Sequence, residues 1–123
     1  MQLDVVTIQL SKHRLLRGSE FELIDTSFQS GVLWLAPSRE LLWAYKGGHL
    51  TSREYFTRYK DLCRQRYRRH PEQWQELIRR RKIALACYCK ADCFCHRLIL
   101  KNILEKLCEA EGIDFWYGGE ITR

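Results

Sequence analysis

Two stretches of the chain carry the strongest hydrophobic patterning. Residues 83–89 form one continuous apolar run, Ile-Ala-Leu-Ala-Cys-Tyr-Cys. That is the length and pattern of a strand buried on both faces. Residues 95–111 instead place Leu100, Ile103, Leu104 and Leu107 at helical spacing, with Gly112 as a C-terminal stop. Residues 113–117 then read as a short strand, and Gly118-Gly119 leads into a short tail. Strand, helix and strand over 83–118 make a βαβ unit, for which parallel pairing and a right-handed crossover are the default.

Upstream, residues 3–9 are rich in β-branched side chains and predict a strand, with an edge position expected. A basic, polar stretch over 11–19 suits a loop or short helix. Residues 21–24 predict a second strand, ending at the short polar turn Asp25-Thr26-Ser27. The apolar segment 32–36 precedes Pro37, so it is expected to be extended. Pro37 suits a helix start over 38–45, closed by Gly47-Gly48. Thr51 and Glu54 stand at capping-box spacing and open a helix to about residue 68. His70-Pro71 breaks it, and a further helix carries Trp74, Leu77 and Ile78 as its apolar stripe.

These elements predict a single α/β domain over 1–123: a three-layer, Rossmann-like, mostly parallel sheet flanked by helices. The absence of a basic-then-apolar leader and of any apolar run near the roughly 20 residues that cross a bilayer points to the cytoplasm and away from membranes. Charge sharpens the picture. The formal net charge is +6, and residues 51–82 hold eleven Lys or Arg against four Asp or Glu. The excess positive charge is thus confined to this basic helical region, which favours an anionic partner or forms a solvated helix face.

Candidate chemistry concentrates at 87–97, where the apolar strand hands over to a helix N-terminus. Ligands of open α/β sheets bind there, and a helix start offers backbone N–H groups to an anion. Arg97, Lys90 and Lys46 are placed to hold a phosphate, with Asp25, Tyr55, Tyr59 and Glu120 as further ligand-binding candidates. His96 is the candidate acid or base, and Cys95 a candidate nucleophile beside it. The alternative is an Arg97 paired with Asp92 or Glu120 and a His96 packed in the core. Asp92 suits an N-cap. Four of the six cysteines (Cys87, Cys89, Cys93, Cys95) fall within nine residues. Zinc on these four and His96 is the competing reading. Their spacing is tighter than the roughly two-to-four-residue gaps of zinc knuckles. Cys87 and Cys89 also lie in an apolar strand, so neither a metal nor another cofactor is expected.

The block Cys87-Tyr-Cys-Lys…Phe-Cys-His-Arg97 and its apolar helix resemble domain-of-unknown-function family 488, especially the short versions carried by bacteriophages and bacterial genomes. Leu35-Ala-Pro37, Tyr45-Lys46-Gly-Gly, Thr51 to Tyr59 and Gly118-Gly-Glu120 share the resemblance, which spans roughly 25–120. The chain departs in its long N-terminal segment and at Ser38-Arg-Glu, where similar proteins often carry Trp. The resemblance implies a compact α/β fold with a polar site around Cys95, His96 and Arg97. It also implies nucleotides or nucleic acids as targets, and the host cytoplasm for a phage-borne member.

The functional expectation is a protein that binds a small phosphate-bearing anion, nucleotide-like, and processes it if His96 or Cys95 is catalytic. The alternative is a nucleic-acid-binding module that uses the arginine-rich helices of 51–82, with Tyr55, Tyr59, Tyr67 and Trp74 stacking on bases.

Overall fold

The computed structural model describes residues 1–89 and 95–123. Its strands are β1 (Gln2–Gln9), β2 (Glu22–Asp25), β3 (Lys82–Cys87) and β4 (Asp114–Ile121). Its α-helices are α1 (Arg39–Lys46), α2 (Ser52–Arg69), α3 (Pro71–Ile78) and α4 (His96–Glu111), and a 3₁₀ segment spans Leu10–Leu16. The four strands form one fully parallel sheet in the order β2-β3-β1-β4. The chain therefore has an α/β fold.

That order explains why the two faces are clothed so differently. The chain moves two places one way from β1 to β2, then returns through β3 to β4. Right-handed crossovers put connections running in opposite directions on opposite faces. The four α-helices lie on the return path, and with Leu3, Val5, Ile24, Ile83 and Leu85 they enclose the main core. On the other face Val6, Ile8, Ala84 and Ala86 meet Leu16 of the 3₁₀ segment, in a smaller cluster. Alternation along β3 sorts the side chains: Ile83, Leu85 and Cys87 face the helices, while the small Ala84 and Ala86 face the thin layer.

Several local expectations change. β1 is an interior strand, hydrogen-bonded to β3 and β4, because both the central run and the C-terminal strand pair with it. Residues 32–36 are not extended: Leu35 N–H donates to Val32 O at 3.0 Å, winding the segment into a turn that buries Leu35 and Ala36. β3 stops at Cys87, short of Cys89. β4 runs on through Gly118-Gly119, with a register shift opposite Val5–Thr7 that lets the glycines stay in the sheet.

The start of α2 is as its sequence predicts. Thr51 Oγ1 accepts from Glu54 N–H and Glu54 Oε1 accepts from Thr51 N–H, closing both halves of the capping box. Down its inner face Tyr55, Tyr59 and Cys63 recur every four residues and are buried. Tyr55, at the start of this face, reaches the candidate site beyond the C-terminal end of β3.

Candidate functional site

The site is built from three chain segments. The first is the turn after β2. Asp25 accepts from Ser27 N–H at 2.9 Å and from Ser30 Oγ at 2.6 Å, and Gly31 N–H donates to Ser27 O at 3.0 Å. Burial works against the Asp25 charge, but these hydrogen bonds outweigh it and hold its carboxyl below the usual range. Asp25 therefore shapes the turn. Gly31 is required by close approach: a Cβ there meets Asp25 O at 2.2 Å and Asp25 Oδ1 at 2.7 Å. Gly31→Ala is expected to cost about 1–3 kcal/mol, as overpacking does. Urea denaturation followed by circular dichroism checks it.

The second segment is the end of β3 and the bend beyond it. The third is the start of α4, where Cys95 is the N-cap residue, with no side-chain cap hydrogen bond, and no acidic residue stands in the first turn. The positive end of the helix dipole is thus left uncompensated by its own first turn.

His96 and Arg97 are both buried. His96 Nε2 lies 2.7 Å from Thr26 O and 2.9 Å from Thr26 Oγ1. A carbonyl only accepts, so Nε2 carries the proton and Nδ1 the lone pair. Nδ1 lies 3.6 Å from Cys95 Sγ. The edge of Tyr59 packs on the imidazole, with ring centroids 5.5 Å apart. Desolvation pulls the His96 pKa down to about 4, despite the Thr26 hydrogen bond, so the ring is neutral near pH 7.

Arg97 is fully buried, and its donors are engaged. Nε and Nη2 reach the two carboxylate oxygens of Glu120 at 3.3 and 2.9 Å, the fork geometry that suits arginine. Nη1 donates to Cys87 Sγ at 2.8 Å and to Cys89 O at 3.1 Å. Burial opposes its charge, but the Glu120 hydrogen bond and the Cys87 and Cys95 sulfurs together outweigh that and raise its pKa. Arg97 is thus an internal tie between α4, β4 and the end of β3, rather than a clamp open to an external anion. Glu120 is its counter-ion.

Cys87, Cys89 and Cys95 converge, with all three Sγ atoms within 4.8 Å of one another. Cys89 is the most acidic of the three, because Cys87 and Cys95 donate hydrogen bonds to its sulfur. The Cys95 thiol is pushed up, first by its contact with Cys87, contrary to the depressed value its place at a helix start suggests.

A cleft of about 70 Å³ opens over this floor, lined on one side by Ser27, Gln29 and Tyr88 and on the other by Tyr45, Lys46 and Tyr55. Lys46 is the one Lys or Arg among its described lining residues, and Asp and Glu are missing from that lining. Tyr55 is buried and stacks on Tyr45 at 4.4 Å. Tyr59 is buried too, donating to Leu35 O at 2.6 Å, so it supports the site from behind. Lys90, Asp92 and Cys93 lie outside the described residues.

The arrangement of Cys-x-Cys, then Cys-His-Arg at a helix start over a parallel sheet, is now in place. Residues 7–107 match the family described as the active DUF488-N3 subclade, DUF488-N3a. The chain belongs to the DUF488 family. No curated protein and no solved structure matches it. Within this DUF488 chain, the structure brings Ser27 and Tyr88 to the cleft beside Lys46, Cys95 and His96, with Thr26 and Ser30 hydrogen-bonded behind them. The sequence signal for Thr26 and Ser27 is the short polar triplet Asp25-Thr26-Ser27 at a strand C-terminus, which reads as a turn until the neighbouring β3–α4 junction is placed beside it.

Proposed function

We propose that the chain binds the phosphate group of a small nucleotide-like ligand in the cleft above β2 and β3. The observation that carries this reading is the cleft itself. It sits at the carboxyl ends of parallel strands and beside an uncapped helix start, with Lys46 as its cation and no described carboxylate in its lining. At about 70 Å³ it has room for a terminal group, whereas whole drug-sized ligands occupy roughly 300–1,000 Å³. The phosphate therefore enters, and the sugar and base stay at the mouth, where Tyr88 is half exposed.

The binding test is a thermal-shift screen with AMP, ADP, cyclic dinucleotides and inorganic pyrophosphate, comparing wild type with Lys46→Ala. Lys46 is exposed in the last turn of α1, so its truncation leaves the core intact. A ligand at a hundredfold excess over its Kd adds about 2.7 kcal/mol of stability by mass action. The wild type is expected to shift with at least one probe, and Lys46→Ala to lose that shift. No shift with any probe contradicts the reading.

The second reading is nucleic-acid binding by α2 and α3. Its support is the exposed Arg53, Arg58, Arg68 and Arg69. Three of its four stacking candidates, however, Tyr55, Tyr59 and Trp74, are at most 2% exposed. Arg66 is also committed to Ala36 O. What remains is phosphate contact with Tyr67 beside it, and phosphate affinity falls steeply with salt. Among the described residues no helix is long and apolar enough to cross a membrane.

A further inference from the structure

The sulfur cluster has a use that ligand binding does not require. Cys87 closes β3, and the bend just beyond it brings the Cys89 sulfur back beside that of Cys87. The N-cap of α4 returns Cys95 to them, bringing its Sγ to 2.6 Å from that of Cys87. All three are free cysteines. Three thiols cannot all pair as disulfides, and together the three sulfurs offer one soft donor set to a single cation.

The surroundings are those of a metal centre. Arg97 Nη1 donates to Cys87 Sγ, a contact that stabilises sulfur as thiolate. His96 gives its Nε2 proton to Thr26 O, which leaves the Nδ1 lone pair beside Cys95 Sγ at 3.6 Å.

We propose that Cys87, Cys89 and Cys95 bind a thiophilic divalent cation of the zinc class, with the fourth position open to an external ligand. Binding releases the thiol protons to solvent, and three thiolates with a divalent ion leave one net negative charge, which faces Arg97. The ion draws the crowded sulfurs to about 3.8 Å apart, the edge of a tetrahedron with sulfur about 2.3 Å from the ion. The short spacing Cys87-x-Cys89 fits because β3 ends at Cys87, so Cys89 lies on the bend, free of the sheet register.

The experiment uses the full chain purified under reducing conditions without chelator. Mass-spectrometric metal analysis is expected to give about one zinc per chain. Exchange for cobalt is expected to give a thiolate-to-cobalt charge-transfer band. Cys89→Ser, at a half-buried position, is expected to weaken zinc affinity at least roughly tenfold. Cys108→Ser, near the far end of α4, is expected to leave it unchanged. Wild type holding less than about a tenth of an equivalent and giving no charge-transfer band overturns the proposal. Equal zinc in Cys89→Ser, or a Cys87–Cys95 disulfide in thiol-blocked mass spectra of the reduced preparation, overturns it too. Neither nucleotide nor Lys46 enters these measurements, so the metal site and the ligand reading fail separately.

Discussion

Replacing Arg97 by alanine is expected to destabilise the chain by about 3–5 kcal/mol, the cost of breaking a buried ion pair from one side. The guanidinium is fully buried and ties Glu120 on β4 to the Cys87 sulfur and the Cys89 carbonyl. Its removal strands the Glu120 carboxylate, which is only 16% exposed, and opens a void at the base of the site. A single domain of this size has about 5–15 kcal/mol in total, so the variant stands near the folding threshold. Removing both charges behaves differently. Arg97→Met with Glu120→Leu is expected to recover most of the loss, since an apolar replacement of a buried pair is often neutral. Urea denaturation of the two variants measures the difference. A single variant as stable as wild type contradicts the tie.

Tyr59→Ala is expected to cost a similar 3–5 kcal/mol, the range for truncating a large buried aromatic. The ring lies at the hub of the α2 face, against His96 and Tyr55, and its hydroxyl satisfies Leu35 O in the turn before α1. Tyr59→Phe separates the two contributions. It keeps the ring and leaves Leu35 O without its donor, at a cost of about 1–3 kcal/mol. Equilibrium unfolding followed by tryptophan fluorescence measures both, and a neutral Tyr59→Phe contradicts the role given to the hydroxyl.

The elements most legible in the sequence are those where one physical signal dominates. The unbroken apolar run of β3, the helical spacing of α4 and the Thr51–Glu54 capping box each depend on neighbouring residues alone. The roles of Tyr55 and Tyr59 were harder to read. Their stripe is narrow, set among arginines on a helix whose average character is polar, and only the sheet beneath it shows that 55, 59 and 63 face inward. The 32–36 turn is not legible locally, because its apolar residues suit a strand as well as a buried turn.

At the site, the sequence places Cys95, His96 and Arg97 together and offers Glu120 as one partner of Arg97, but does not bring Thr26 to His96 or Cys87 to Cys95. Glu120 lies 23 residues from Arg97 and Thr26 lies 70 from His96. Those distances are closed by parallel strand pairing, which local patterning does not report. The approach of Cys95 to Cys87 likewise depends on where α4 begins relative to the end of β3. That is why cysteines that suggest simple packing in the sequence come together as a cluster in the fold.

A backbone-amide NMR titration of the isotope-labelled chain with AMP and with inorganic pyrophosphate tests the proposed cleft most directly. The cleft reading predicts saturable shifts centred on Ser27, Tyr45, Lys46, Tyr88, Cys95 and His96, abolished by Lys46→Ala. Shifts confined to the exposed face of α2 around Arg58, Arg64 and Arg68, or no shifts at all, contradict it.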